Sequence, residues 1–182
     1  TDLAADWLFA SCGTFEQSTV YRRRIAANEE WEAVLSEPGM GRTSLAIAPS
    51  NQSVIYALSA SNYPEPHGPD GNSGQALHAV YRSTGAGAAG TWRVRVDRTD
   101  PVKVNTRLLT QRRDENSWTP MGWYCNVIAV DPTNPDVLWA GGVDLFRSDD
   151  GGGNWGLDSY WFAKYPTRLP SYVHADQHAI VF

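Results

Sequence analysis

The sequence predicts an all-β protein built from small antiparallel sheets. Its apolar segments are short and rich in Val, Ile, Tyr and Trp, and clusters of Gly, Pro and Asn separate them. This is the pattern of strands joined by turns. No segment has the periodicity of an amphipathic helix, and strand–turn–strand units recur along the chain. We therefore expect a series of similar sheets.

Two kinds of repeat define the unit. Residues 47–56 align without a gap with residues 130–139, and each copy reads as a strand, a turn containing Asn and a second strand. In the other repeat, an aromatic residue followed by Arg lies in a strand that leads through a turn to Trp. This pattern runs from Tyr21 to Trp31, from Tyr81 to Trp92 and from Phe146 to Trp155.

The last repeat contains a distinctive turn of the form Ser-x-Asp-x-Gly-x-x-Trp, made by Ser148, Asp150, Gly152 and Trp155. The hydroxyl and the carboxylate can accept hydrogen bonds from turn N–H groups, and glycine supplies the positive φ that a tight turn needs. The Trp is expected to be buried under the next strand. We predict a structural role for these four residues.

These residues resemble the Asp-box of the BNR-repeat propellers, a family that includes sialidases, xyloglucanase-like glycoside hydrolases and sortilin-type receptors. The resemblance implies a partial β-propeller of four-stranded antiparallel blades, in which the box lies away from the catalytic face. The other copies are degenerate, because Gly85 stands in place of the Asp and, in the first copy, Arg23 and Ile25 replace the Ser and the Asp. Glycine or packing is expected to hold those turns.

We expect residues 1–182 to form a single propeller segment with strands A to D of each blade running outward from the axis. Blade one spans strands at 7–35, blade two 43–97 and blade three 124–160, and a further blade starts at 174–182. The predicted strands are Trp7–Ser11, Thr19–Arg23 and Trp31–Leu35 in blade one; Ser44–Ala48, Val54–Leu58, Ala79–Ser83 and Trp92–Val96 in blade two; Tyr124–Val130, Val137–Ala140, Asp144–Arg147 and Trp155–Ser159 in blade three; and Asp176–Phe182 beyond it.

About three blades are fewer than the 4–8 that closed propellers typically have. The favoured interpretation is that the remaining blades belong to a longer protein. Alternatively, the strand at Asp176–Phe182 supplies the missing A strand of blade one, and two copies complete a six-bladed ring.

The long loops all fall on one face of the predicted blades. Strand alternation places the B–C and D–A connections on the same side, and these include residues 62–75, 97–123 and 160–174. Long loops on a rigid scaffold usually carry function. We therefore expect any binding or catalytic residues on this face.

The most suggestive group there is His174, Asp176 and His178, whose i, i+2, i+4 spacing gives a shared face on an extended strand. Two imidazoles and a carboxylate suit zinc or another divalent metal. The same residues are also consistent with a structural network, or with Asp176 as a catalytic acid or base. The only cofactor considered is therefore this metal.

Other candidates stand at the starts of the A strands. Arg42 and Asn126 occupy these places in blades two and three, and Trp123 and Tyr124 precede the latter. With His174 and His178 they are predicted binding residues, although aromatic residues at blade junctions are also typical of core packing.

Glycoside hydrolysis needs two carboxylic acids about 5 to 9.5 Å apart. Besides Asp176, the carboxylates near the loop face are Glu65, Asp70 and Asp114, and the sequence does not pair them. The run that begins at Arg24 continues with Ile and Ala, whereas the sialidase pattern has Arg-Ile-Pro. Sialidase activity is therefore not supported.

Composition excludes two classes of partner. A net charge of −5 with scattered arginines argues against nucleic acid, which binds to a basic face, and the apolar runs are far shorter than the roughly 20 residues of a spanning helix. The only cysteines, Cys12 and Cys125, are too few for a disulfide framework. Whether they pair is left open, because a bond needs Cα atoms within about 7 Å.

Two functions are compatible with these residues. The first is a propeller module that presents loops to a glycan or protein ligand, and the alternative is a glycoside hydrolase with Asp176 as the candidate acid or base. The family resemblance implies export to the extracellular space or the periplasm.

Overall fold

A computed structural model describes residues 7–25, 29–63, 75–102, 104–112, 118–161 and 172–182. The strands of blade one are β1 (Trp7–Cys12), β2 (Thr19–Arg24) and β3 (Glu32–Leu35); those of blade two are β4 (Met40–Ile47), β5 (Ile55–Ser61), β6 (Leu77–Ser83) and β7 (Trp92–Asp97). A hairpin of β8 (Thr110–Arg112) and β9 (Trp118–Pro120) follows, and blade three contains β10 (Val127–Val130), β11 (Leu138–Gly141), β12 (Leu145–Ser148) and β13 (Gly156–Ser159).

Each blade is an antiparallel meander. The strand orders are β1-β2-β3, β4-β5-β6-β7 and β10-β11-β12-β13, so every strand pairs with its neighbour in the chain. These sheets confirm the predicted fold class, a partial β-propeller of four-stranded antiparallel blades. The predicted strands of the three blades are present, with ends that differ by a few residues.

Two regions differ from the prediction. No strand is assigned at Asp176–Phe182, because a strand exists only where it pairs with another, and no described segment pairs with this one. Conversely, the predicted loop 97–123 contains a short 3-10 helix at Asn105–Arg107 and the hairpin β8–β9. No helix among the described residues is long and apolar enough to cross a membrane.

The core lies between the blades. One cluster joins blades two and three, and the other joins blades one and two. Strand β5 belongs to both clusters: Tyr56 and Leu58 pack toward blade three, whereas Ile55 and Ala57 pack toward blade one. All seven of its residues are buried. Because both of its faces are buried, β5 begins with the uninterrupted apolar run Ile55–Leu58, and its two polar residues, Ser59 and Ser61, are buried as well.

The turn at residues 148–155 is closed by its own side chains. The Ser148 hydroxyl donates to Asp150 Oδ1 (2.9 Å) and accepts from the Gly152 N–H (3.0 Å). Asp150 Oδ1 also accepts from the backbone N–H groups of Gly153 and Asn154, each at 2.9 Å. Trp155 is buried, and its Nε1 donates to the Gly152 carbonyl (3.0 Å). The four motif residues therefore have structural contacts.

The equivalent turn of blade two keeps this geometry without an Asp. Ser83 Oγ accepts from the Gly87 N–H (3.0 Å), and Trp92 Nε1 donates to the Gly87 carbonyl (3.2 Å). The hydroxyl of Thr91, 2.7 Å from Ser83 Oγ, takes the place of the carboxylate. The sequence predicts that glycine or packing holds this turn, and the structure adds a polar contact from Thr91, the residue just before the Trp.

Removing the carboxylate of Asp150 is expected to destabilise blade three. Asp150→Ala leaves the N–H groups of Gly153 and Asn154 without their acceptor, which costs about 1–2 kcal/mol. Asp150→Asn retains Oδ1 and is the matched control. Denaturant unfolding of both variants measures the difference, and equal loss in the two would contradict an acceptor role for Oδ1.

The blade-two turn contains a correctable strain. Ala86 has φ of 51° and Gly87 has φ of 66°, whereas Gly151 and Gly152 occupy the same two places in blade three. Because a left-handed alanine costs about 1 kcal/mol, Ala86→Gly is expected to raise the free energy of unfolding by about that amount. Ala88→Gly is the control and is expected to lower it, since Ala88 does not have positive φ. Equilibrium unfolding of both variants distinguishes these effects.

Candidate functional site

Four rings form a row on the face where the B–C and D–A connections emerge. Ring centroids are 6.3 Å apart between Phe15 and Trp123, 5.5 Å between Trp123 and Tyr124, and 4.8 Å between Tyr124 and His178. The first three side chains are 63%, 40% and 43% exposed. We call these four residues the aromatic platform. They come from three separate parts of the chain.

The structure brings together three predicted binding residues, Trp123, Tyr124 and His178, and adds Phe15. Phe15 lies in the connection between β1 and β2. Only an indirect signal for Phe15 is present in the sequence, namely that B–C connections share the face of the D–A loops.

Arg42 stabilises the backbone of two residues of the aromatic platform. Its Nη1 donates to the Trp123 carbonyl (2.8 Å) and to the Tyr124 carbonyl. The sequence predicts Arg42 as a binding residue, but the structure uses its guanidinium to fix the backbone under two of the rings. The turn itself is closed by Tyr124 N–H and Cys125 N–H, which donate to the Met121 carbonyl at 2.9 and 2.8 Å.

Asn126 lies deeper and joins the two A strands. Its Nδ2 donates to the Arg42 carbonyl (3.0 Å) and to the Leu58 carbonyl (3.4 Å), and the Ser44 hydroxyl donates to the Asn126 carbonyl (2.7 Å). Asn126 is buried. Its contacts are therefore with the neighbouring blade, and they hold Arg42 close to the segment that contains Trp123 and Tyr124.

The predicted trio of His174, Asp176 and His178 does not form a shared face. Asp176 has φ of 71°, and a left-handed residue interrupts the alternation of an extended strand. The three side chains instead have separate neighbours: His174 Nδ1 lies 3.1 Å from the Ala175 carbonyl and His178 packs on Tyr124. In the part of the chain that the structure describes, no three His, Cys, Asp or Glu side chains group as metal ligands.

Asp176 is paired with a thiol. Cys125 Sγ donates to Asp176 Oδ1 at 3.2 Å. Burial, followed by this hydrogen bond and the negative charge of Asp176, raises the pKa of the Cys125 thiol to about 12, so the thiol stays protonated at neutral pH. Cys12 and Cys125 are both free, and the disulfide considered from the sequence is not formed.

Asp144 is a buried carboxylate with a raised pKa, and it is not among the site residues predicted from the sequence. Asp144, in the turn between β11 and β12, is 4% exposed and accepts a hydrogen bond from the Trp161 N–H at 2.8 Å. Burial raises its pKa to about 6 despite that bond. No sequence pattern distinguishes it from an exposed turn Asp. The other candidates, Glu65, Asp70 and Asp114, lie outside the described residues.

Comparisons with known proteins returned matches to solved structures only. No protein-family model and no curated protein sequence matched the chain. Among solved structures it is similar to the GH74 xyloglucanase from Xanthomonas campestris, with a TM-score of 0.49 and 17% identity over 89% of this chain. It is also similar to a GH74 enzyme from Niastella koreensis, with a TM-score of 0.45 and 21% identity over 87% of this chain. The chain spans 22% of the length of each.

The raised pKa of Asp144 predicts a pH-dependent stability. An unfolded Asp has a pKa near 3.8, and the buried Asp144 has a pKa of about 6. Burial of this group therefore does not lower the free energy of unfolding below about pH 3.8. The free energy of unfolding falls as the pH rises from there through about 6. One pKa unit corresponds to about 1.4 kcal/mol, so the loss at pH 7 is on the order of 3 kcal/mol. Asp144→Asn is expected to recover most of it.

The test is denaturant unfolding at pH 4 and pH 7. Asp144→Asn should be more stable than the wild type at pH 7 and similar to it at pH 4. Glu16→Gln is the control, because Glu16 is exposed. An Asn variant that gains nothing at pH 7 would show that Asp144 is not destabilised by its burial.

Proposed function

We propose that this chain is part of an exported β-propeller that binds a glycan on the aromatic platform. The observation that carries the proposal is the exposed row of Phe15, Trp123, Tyr124 and His178. Large rings left open to water in a contiguous patch typically mark an interaction surface. The export is proposed from the family resemblance alone.

The chemistry of the row favours a sugar. Aromatic rings present flat apolar faces with a negative quadrupole, against which the C–H-bearing face of a sugar ring can stack. Tyr and His add hydrogen-bonding groups beside the rings, and these can reach sugar hydroxyls. A stretch of several rings suits a chain of sugar units better than a single small molecule.

The platform is also held in place before any ligand arrives. Arg42 fixes the carbonyls of Trp123 and Tyr124, and the turn they occupy has its own hydrogen bonds. Binding then loses little conformational entropy, because Trp and Tyr have few rotatable bonds and their backbone is fixed.

The second candidate function is glycoside hydrolysis, and Asp144 is the observation that favours it. A carboxylic acid with a pKa near 6 is suited to proton donation at neutral pH. Asp176 remains the candidate partner, although its described contact is the Cys125 thiol. Measuring reducing-sugar release from neutral polysaccharides by the wild type and by Asp176→Asn tests this alternative. Release that persists in the variant would exclude Asp176.

Trp123→Ala is expected to weaken glycan binding at least tenfold, which corresponds to about 1.4 kcal/mol, because the central ring of the platform is lost. The measurement is affinity electrophoresis against a panel of neutral polysaccharides. Trp31→Ala is the control, since Trp31 is 43% exposed but lies beside β3, next to Arg23. Equal loss in both variants, or no loss in Trp123→Ala, would contradict a platform-based site.

A further inference from the structure

His178 is the ring of the aromatic platform that has the least support of its own. It packs edge to face on Tyr124, with ring centroids 4.8 Å apart and ring planes at 80°. The side chain is exposed, and no described residue forms a hydrogen bond with the imidazole. One ring contact does not fix an exposed side chain. The place of His178 on the platform therefore depends on how its neighbours in the chain are attached.

One neighbour, Gln177, is attached to blade three through its backbone. Its N–H donates to the Gly142 carbonyl at 2.8 Å. The packing there is close, because a Cβ added at Gly141 would lie 2.6 Å from the Gln177 Cβ. This contact fixes the backbone one residue before His178. A single backbone hydrogen bond, however, leaves the flanking residues free to turn about it.

A second attachment comes from Asp176, whose Oδ1 accepts a hydrogen bond from Cys125 Sγ at 3.2 Å. Cys125 directly follows Tyr124 in the chain, and Asp176 lies two residues before His178. The hydrogen bond and the ring contact therefore join the same two short segments. Two contacts between two segments fix their relative orientation, which neither contact does alone.

The thiol of Cys125 is suited to a permanent attachment. Cys125 is fully buried, and burial, the hydrogen bond and the charge of Asp176 raise its pKa to about 12. The thiol therefore keeps its proton and remains a donor at neutral pH. Asp176 has φ of 71°, a conformation that persists in residues other than glycine where surrounding contacts hold it. The bond from Cys125 is such a contact.

We propose that Cys125 is a positioning residue of the glycan site. Through Asp176 it holds His178 on Tyr124, and it thereby gives the platform its fourth ring. This inference rests on the proposed function, since it concerns the same platform. It adds that a fully buried side chain, out of reach of any ligand, contributes to affinity for the glycan.

Side-chain NMR without a ligand tests the positioning. At pH 8, where a free imidazole is neutral, the ring current of Tyr124 should shift the ring protons of His178 from their random-coil values. His178→Ala assigns the signal. Cys125→Ala removes the donor and is expected to move the signal to where Tyr124→Leu places it, whereas Cys125→Ser retains a donor and should keep most of the shift. Cys12→Ala, the same change at the exposed cysteine, is the control and should leave the signal in place.

Asp176→Gly tests whether Cys125 acts through the carboxylate. Glycine accommodates the φ of 71° but removes the acceptor, so this variant should reproduce the His178 signal of Cys125→Ala. The double variant should shift the signal no further, because both substitutions break the same hydrogen bond. Asp176 is exposed, so its replacement carries the test if Cys125→Ala does not fold.

Affinity electrophoresis in gels containing hydroxyethyl cellulose or galactomannan measures the consequence for binding. Cys125→Ala is expected to weaken binding about three- to tenfold, roughly the cost of ordering one side chain at an interface. In a His178→Ala background the same substitution should have no further effect, because Cys125 acts through that ring. Thermal melts followed by circular dichroism establish that each variant is folded.

The outcomes separate this inference from the proposed function. An unchanged His178 signal in folded Cys125→Ala overturns the positioning role. A loss of affinity that is equally large in the wild-type and His178→Ala backgrounds does so too, because Cys125 would then act elsewhere. A wild type that binds neither polysaccharide but shows the expected NMR shifts overturns the proposed function and supports the attachment of His178.

Discussion

The hydrogen bonds between the innermost strands of blades two and three determine how the rest of the chain is arranged. Asn126 donates to the carbonyls of Arg42 and Leu58 in blade two, and Ser44 of blade two donates to the Asn126 carbonyl. At the opposite end of the same junction, the Tyr56 hydroxyl donates to the Pro135 carbonyl at 2.8 Å. The two sheets are thus joined at both ends of their strands and cannot slide along each other.

This double attachment explains why the apolar packing is so specific. With the junction fixed at both ends, the buried side chains of β5 face defined partners on each side, and blade two becomes the layer between the two cores. The hydrophobic effect supplies most of the stabilisation but is not directional. The polar contacts at the ends select one register among those that apolar packing alone would permit.

The strands could be predicted from the sequence because they depend on local patterns. Short apolar runs, turn residues and two repeats were enough to find the sheets of all three blades. The site depends on contacts between distant parts of the chain, which no local pattern encodes. Phe15 joins the platform because β1 lies beside β4, and the pKa of Asp144 is raised because folding buries its carboxyl group.

The remaining differences arise from single backbone or side-chain choices. One left-handed residue, Asp176, separates a trio whose spacing predicts a common face. In blade two, a threonine hydroxyl replaces a carboxylate from a different position in the turn, so a motif search over fixed spacings does not detect it. Both cases show that spacing predicts proximity only when the backbone between the residues is regular.

The position of Arg42 has a consequence for transferring the platform to another protein. The rings of Trp123 and Tyr124 belong to the segment before blade three, but the guanidinium that orients their backbone belongs to blade two. The smallest portable unit is therefore a pair of adjacent blades. A graft of residues 121–126 onto a foreign loop would carry the rings without the contacts that hold their backbone, and a substitution of Arg42 would release that backbone without changing any ring of the platform.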